Sequence, residues 1–280
     1  MSNISCIENN CSFYSNKRQH LTINHIIFLK TKVILYSVFR IYSLIIFILY
    51  PFENAQAKMN KIDPFALEPY SLVYASSYNG INFEATRSLK KNQSTYTLKT
   101  TAKNILGTMN EETIFEIDVN GNIAETKYQS TKSVLGIKKQ ESLTYDKSSG
   151  IAKYQSKNKK RNILKQDAHL NNLTLQVKLH SDLLQKTSSL NYSIIRKGKV
   201  TTYQFEILGE EIIKTKLGNI NTVKIKKTRA TSNRETFLWF APSWNFLLVK
   251  LKQKEADSNY IMLLKEGKLK GIKLEQHNLL

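Results

Sequence analysis

The chain has 280 residues, with 42 Lys and Arg against 22 Asp and Glu, a formal charge of +20, 41% hydrophobic residues, ten Gly and four Pro. Those figures exclude collagen, a low-complexity disordered chain and a polytopic membrane protein. The length fits one domain or two small ones.

The first informative stretch is Val33–Phe52, preceded by Lys30 and Lys32 and divided by Arg40, so its uninterrupted apolar run is Ile41–Tyr50. Pro51 and then Ala55-Gln56-Ala57 follow. A cationic lead, a run of about 7–15 apolar residues and an A-x-A site make a secretory signal peptide. The small side chains of Ala55 and Ala57 suit the peptidase, which places the cut before Lys58 and removes residues 1–57. The alternative is an uncleaved inner-membrane anchor over Val33–Phe52, which would carry Arg40 into the bilayer at a cost of roughly 2.5–3.5 kcal/mol at a helix centre. Either way the remainder is expected outside the cytoplasm, in the periplasm. Met1–Thr31 is polar and aperiodic, so the true start is expected near Leu29–Leu35, at an alternative codon, because no Met lies between Met1 and Met59.

Both cysteines, Cys6 and Cys11, fall in the leader, so the exported part has no thiol or Cys-based metal site. Lys58 stands where a lipoprotein would have cysteine, and no membrane span is expected to remain after cleavage. Removing 57 residues from 280 leaves 223 at a charge of +17, because the leader holds five cations (Lys17, Arg18, Lys30, Lys32, Arg40) and two anions (Glu8, Glu53).

Beyond the leader, alternation dominates. Ile81, Phe83 and Ala85 share one face against Asn82, Glu84 and Thr86. Tyr96, Leu98 and Ala102 oppose Thr95, Thr97, Lys99 and Thr101, and Phe115, Ile117 and Val119 oppose Glu116 and Asp118 before an Asn120-Gly121 turn. Tyr203, Phe205 and Ile207 repeat the pattern. Period two with one wet face predicts antiparallel sheet. Turns are expected at Asn79-Gly80, Ser149-Gly150, Lys197-Gly198, Leu208-Gly209 and Gly218-Asn219. Lys157–Arg161 (KNKKR) has the composition of a basic loop.

One segment departs. Gln166–Lys186 carries Leu170, Leu173, Val177 and Leu184 near helical spacing, with Asp167 as N-cap; within it, Leu173–Leu179 also alternates and suits a strand. The prediction is one mainly β domain over residues 58–280: a large curved antiparallel sheet, half-open barrel or sandwich-like, with about one helix near residues 166–186.

Several landmarks run through this region: Leu208–Ile212, then Thr215-Lys216-Leu217-Gly218 with Thr222-Val223-Lys224, then Arg234–Pro242 containing Leu238-Trp239-Phe240-Ala241-Pro242. Upstream stand Pro64-Phe65, Tyr74-Ala75 and Tyr78-Asn79-Gly80, with Asp167 before its Leu-rich segment. Over about residues 64–264 the chain resembles the bacterial exported family catalogued as domain of unknown function 3108. One departure is Phe246-Leu247-Leu248-Val249, where that family commonly has Leu-Pro-Val. The resemblance implies a periplasmic location and a β-rich fold, with no agreed activity and no catalytic residues.

Chemistry-bearing patterns are sparse. His169, His180 and His277 have no spacing for a shared metal ion, and no nucleophile elbow, dinucleotide or phosphate loop is present. Asp118-Val119-Asn120-Gly121-Asn122 lacks the twelfth-position carboxylate of a calcium loop. Glu210 and Glu211, being adjacent, point to opposite faces and are assigned to a turn beside Gly209. Arg234, at a strand start, is assigned a structural role over an anion contact. No catalytic residue, metal or cofactor is therefore expected, and the chain is not expected to be an enzyme. Trp239, Phe240 and Trp244, with Tyr203 and Phe205, are the candidate lining of an apolar ligand groove. The scattered Lys99, Lys103, Lys224, Lys226, Lys250 and Lys252 do not form a nucleic-acid surface and suit lipid or another anionic envelope component. The leading expectation is an envelope protein that holds a lipid-like ligand on its sheet. A scaffold that contacts another envelope protein is the alternative, and an envelope hydrolase a minor one.

Overall fold

The computed structural model describes residues 67–118, 121–166, 169–228 and 234–275. The proposed cleavage site at Ala55, Ala57 and Lys58, the anchor segment and the start near Leu29 all lie outside the described residues, as do Asp167, Val119 and His277.

The alternation is realised as a run of hairpins. In chain order these are β1 (Tyr70–Tyr78), β2 (Ile81–Asn92), β3 (Thr95–Asn104), β4 (Gly107–Ile117), β5 (Ile123–Val134), β6 (Ile137–Asp146), β7 (Ile151–Ser156) and β8 (Lys159–Leu164). After a short β9 (His169–Leu170) and a helix, α1 (Thr174–Leu184), the chain continues through β10 (Leu190–Arg196), β11 (Lys199–Thr215), β12 (Gly218–Thr228) and β13 (Glu235–Ala241). A 3₁₀ turn (Pro242–Trp244) leads to β14 (Leu247–Glu255), β15 (Ser258–Leu269) and β16 (Ile272–Lys273). All strands join one sheet in the order β8-β7-β6-β5-β4-β3-β2-β1-β15-β14-β13-β12-β11-β10-β9, with β16 beside β15. The chain thus runs outward from β1 to one edge, crosses through α1, and returns from the other edge until β15 pairs with β1. Every pairing is antiparallel except β9 with β10.

Left-handed dipeptides close the tightest hairpins. Asn79-Gly80, Leu135-Gly136 and Lys197-Gly198 all have both residues at positive φ, the conformation whose twist matches paired strands. Two expected turns are placed differently. Leu208-Gly209 is a bulge inside β11, where the register with β12 shifts between Ile207 and Gly209 and Gly209 sits at φ 123. A glycine amid alternating residues marks a bulge as readily as a turn. Glu210 and Glu211 accordingly lie in the strand, and Glu211 reaches Lys224 at 2.9 Å. The β11–β12 turn is Lys216-Leu217, clasped by the Thr215 hydroxyl, which accepts from the Leu217 amide (2.9 Å) and donates to the Gly218 carbonyl (3.1 Å). Lys157–Arg161 is likewise corrected: its last three residues begin β8, an exposed terminal strand. Charge on such a strand blocks edge-to-edge pairing, so a basic composition there does not mean a loop.

Leu173–Leu179 is helical, not a strand. Buried residues occur at nearly every position of α1, because the helix lies against the inner face of the sheet near β5 and β10. The sheet curls until its two ends approach: a Cβ placed on Gly198, at the β10–β11 tip, would stand 2.8 Å from Tyr154 of β7 and 3.3 Å from Arg161 of β8. Bulges at Thr126 in β5, Leu208 in β11, Val249 in β14 and Lys265 in β15 supply local bends that increase coiling. The sheet is therefore large, curved and barrel-like, with β8 and β9 unpaired to each other.

Candidate functional site

The five groove candidates divide between places. Phe240 points inward with Leu238, between Val223 of β12 and Leu248 of β14, and is fully buried. Trp239 takes the opposite face. Its strand neighbours Lys224 and Lys250 bring their ammonium groups to 5.3 and 4.6 Å from the indole centroid, and Lys224 and Lys226 flank Phe237 similarly. Lysine stems lying over aromatic rings cover apolar surface while keeping the charge wet; that is why Trp239 is buried on an outer face. Trp244 is buried in the 3₁₀ turn. Tyr203 and Phe205 point inward from β11, Tyr203 beneath the Lys227 ammonium at 3.4 Å and Phe205 edge-on to Tyr192 at 5.7 Å.

Of the five, Phe205 borders an open cleft. A space of about 430 Å³ lies where α1 ends beside β10 and β11, lined by Leu183, Lys186, Thr187, Ser188, Leu190, Phe205, Glu206 and Ile207. Two residues of β11 give it an apolar lip: Phe205 within and the exposed Ile207 beyond it. A second, polar groove of about 650 Å³ crosses β4–β8, with Glu112, Gln129, Lys138, Gln140, Lys157 and Lys160 among its residues.

Under α1 the inner face is polar. Asn171 caps the helix: its side-chain oxygen accepts from the amides of Leu173 (2.8 Å) and Thr174 (3.0 Å), and its Nδ2 donates to the Thr113 hydroxyl (2.9 Å). Glu125 of β5 accepts from the Asn171 amide (2.8 Å) and the Thr174 hydroxyl, so a buried carboxylate faces the positive end of the helix. Burial nevertheless raises the Glu125 carboxyl above its ordinary range, against those hydrogen bonds. The sequence carried a signal for this cap in Asn171-x-x-Thr174, which the stronger-looking Asp167 masked.

A second cluster lies on β4–β7. Glu111, fully buried, accepts from Ser130 at 3.1 Å and pairs with Lys132 at 3.1 Å; burial raises its carboxyl also. Tyr154 donates to Glu141 at 2.9 Å, and burial pushes its hydroxyl up to about 12. The Lys197 tip closes over this region, its ammonium lowered by burial and by Arg196. His180 on α1 is buried and pushed down to about 3, hence neutral at pH 7. His169 accepts from the Gln166 amide at 3.3 Å. Among the described residues no group of three His, Cys, Asp or Glu is placed to hold a metal ion. Arg234 pairs with Glu255 at 2.8 Å, both side chains partly buried.

The family landmarks are structural too. Thr215–Gly218 is the clasped turn, and Leu238–Pro242 is the buried strand with its 3₁₀ exit. Between β13 and β14, Asn245 and Phe246 adopt positive φ (50 and 60) and the Phe246 amide donates to the Ala241 carbonyl at 2.8 Å. The model of a family described as a protein of unknown function, DUF3108, matches residues 73–265. The chain belongs to the DUF3108 family. No curated protein matches this DUF3108 chain. Among solved structures it is similar to a β-barrel-like protein of DUF1849 from Brucella abortus, at 9% identity and a TM-score of 0.49, covering 72% of this chain and 98% of the other. Among the described residues, no helix is long and apolar enough to cross a membrane.

Proposed function

We propose that this DUF3108 protein is an exported, non-enzymatic envelope protein that binds an amphiphile such as a lipid. The observation that supports this best is the cleft at the end of α1. Leu183, Leu190, Phe205 and Ile207 give it an apolar wall, and Lys186 stands among its lining residues. An apolar wall beside a polar side formed by Lys186, Thr187, Ser188 and Glu206 fits an amphiphile, its hydrocarbon on the first and its headgroup on the second. Export is supported by the Ile41–Tyr50 run and the Ala55-Gln56-Ala57 site.

The test is saturable binding of a fluorescent C16 fatty acid to the purified protein. Ile207→Glu alters an already exposed side chain, so the fold survives while affinity falls about tenfold or more, the scale of losing one buried apolar contact and adding a repelling charge. Absence of saturable binding would sink the reading. The polar groove over β4–β8, with Lys138, Lys157 and Lys160, favours a second reading, contact with an envelope protein or anionic polymer. In-cell crosslinking from that groove to a single stoichiometric partner, with no lipid recovered, would favour it.

A further inference from the structure

Arg87 of β2 is 1% exposed, and its Nε, Nη1 and Nη2 have no hydrogen-bond partner among the described residues. A guanidinium stays charged at any physiological pH, and an uncompensated buried charge is among the most costly features a fold retains. Arg87 therefore needs a counter-group that none of the described residues brings to it.

The register shows what surrounds it. Arg87 stands opposite Leu72 of β1 and Thr100 of β3, and the Thr100 hydroxyl, also buried, has no partner either. On one side the next inward row carries Leu89 and Leu98; on the other it carries Ala85 and Ala102, opposite Tyr74. The alanine side carries the smallest side chains beside the guanidinium. The guanidinium charge acts on the Tyr74 hydroxyl there, which donates to the Leu248 carbonyl at 3.2 Å and keeps its oxygen lone pairs. Glu111, one row partner further along at Thr100, is held by Lys132 and Ser130 instead.

We propose that Arg87, with the Thr100 hydroxyl, forms an internal site for the carboxylate of an apolar acid. A carboxylate matches the planar fork of a guanidinium with two parallel hydrogen bonds. The surrounding Leu72, Leu89, Leu98 and Met109 are hydrophobic and buried, so the remainder of the ligand is apolar. The inference does not rest on the cleft beside α1, which is built from other strands.

The purified protein is titrated with palmitate, with hexadecanol and with butyrate, and binding is followed by the ¹³C shift of labelled carboxylate and by thermal stability. Palmitate binds at least tenfold more tightly than hexadecanol, and Arg87→Met removes that preference while the unliganded variant melts no lower than the wild type. Thr100→Val weakens palmitate binding several-fold as an independent variant. If butyrate alone reproduces the Arg87-dependent shift, the ligand is a small free carboxylate and the site stands. Equal affinity for palmitate and hexadecanol overturns the carboxylate site but leaves amphiphile binding intact. If neither palmitate nor hexadecanol binds while butyrate does, the carboxylate site stands and amphiphile binding falls. The proposal also falls if Arg87→Met and Glu111→Gln each destabilise and the double variant adds nothing, because the guanidinium then belongs to an internal pair.

Discussion

The two halves of the sheet bury different chemistry on the same inner face. In β12–β15 the middle of each strand is apolar: Ile225, Leu238, Leu251 and Met262 follow one another across the sheet, fully buried. Polar inner residues there stand near strand ends and are partnered, Lys227 on the Tyr203 ring and Thr236 with Gln253 at 3.4 Å. In β2–β5 the corresponding mid-strand row is Arg87, Thr100, Glu111 and Ser130. There Arg87, Thr100 and one oxygen each of Glu111 and Glu125 lack a hydrogen-bond partner among the described residues. One half has the composition of a fold's anchor; the other carries groups whose burial costs stability and whose retention points to binding.

The sharpest way to break that contrast is to perforate the apolar half. Phe240→Ala is expected to cost about 3–5 kcal/mol, the usual range for a fully buried aromatic, measured as a drop in the urea midpoint with an unchanged slope. An effect below about 1 kcal/mol would show that this half is not the anchor. In the polar half, Glu125→Leu removes the acceptor for the Asn171 amide and Thr174 hydroxyl and should cost about 2 kcal/mol. Glu125→Gln, which keeps an acceptor oxygen, should cost less. Amide exchange over Thr174–Leu184 should rise selectively in the first variant; uniform exchange across the sheet would contradict the role of Glu125 as the helix anchor.

The smallest expected effect is a pH dependence. His180 is pushed down to about 3 by burial, so below pH 6.5 the unfolded chain binds a proton that the folded one does not, and stability falls as pH falls. Comparing His180→Leu with the wild type, the loss confined to the wild type should be about 1 kcal/mol between pH 7 and 5.5. Glu111 and Glu125, raised by burial, act in the opposite sense, favouring the folded state as pH falls toward 4.5, and cancel because both proteins carry them. A wild-type–variant difference that does not change with pH would mean that the imidazole is protonated inside the fold.

Much of the architecture was legible because it depends on short-range regularity. Period two fixed which residues of β2, β3, β4 and β11 turn inward, and Asn79-Gly80 and Lys197-Gly198 marked their hairpins through the conformations they tolerate. Where one local pattern served two outcomes, it misled: Gly209 makes a bulge, Lys159–Arg161 an edge strand. The groove aromatics illustrate another limit. Trp239 and Phe240 are adjacent, so alternation alone sends them to opposite faces, and their shared aromatic character said nothing about a common site.

By itself the sequence determined the class of fold, the single helix between two groups of strands and membership of the family, because each follows from patterns spanning a few residues or from motif spacing. Only the tertiary structure decided that Arg87, Thr100 and Glu111, 13 and 11 positions apart in the chain, stand in one buried row, and that Leu183, Leu190 and Phe205 border one cleft. Strand register and sheet curvature set those meetings through contacts distant in sequence, and nothing in the local periodicity encodes which polar residue ends up without a partner.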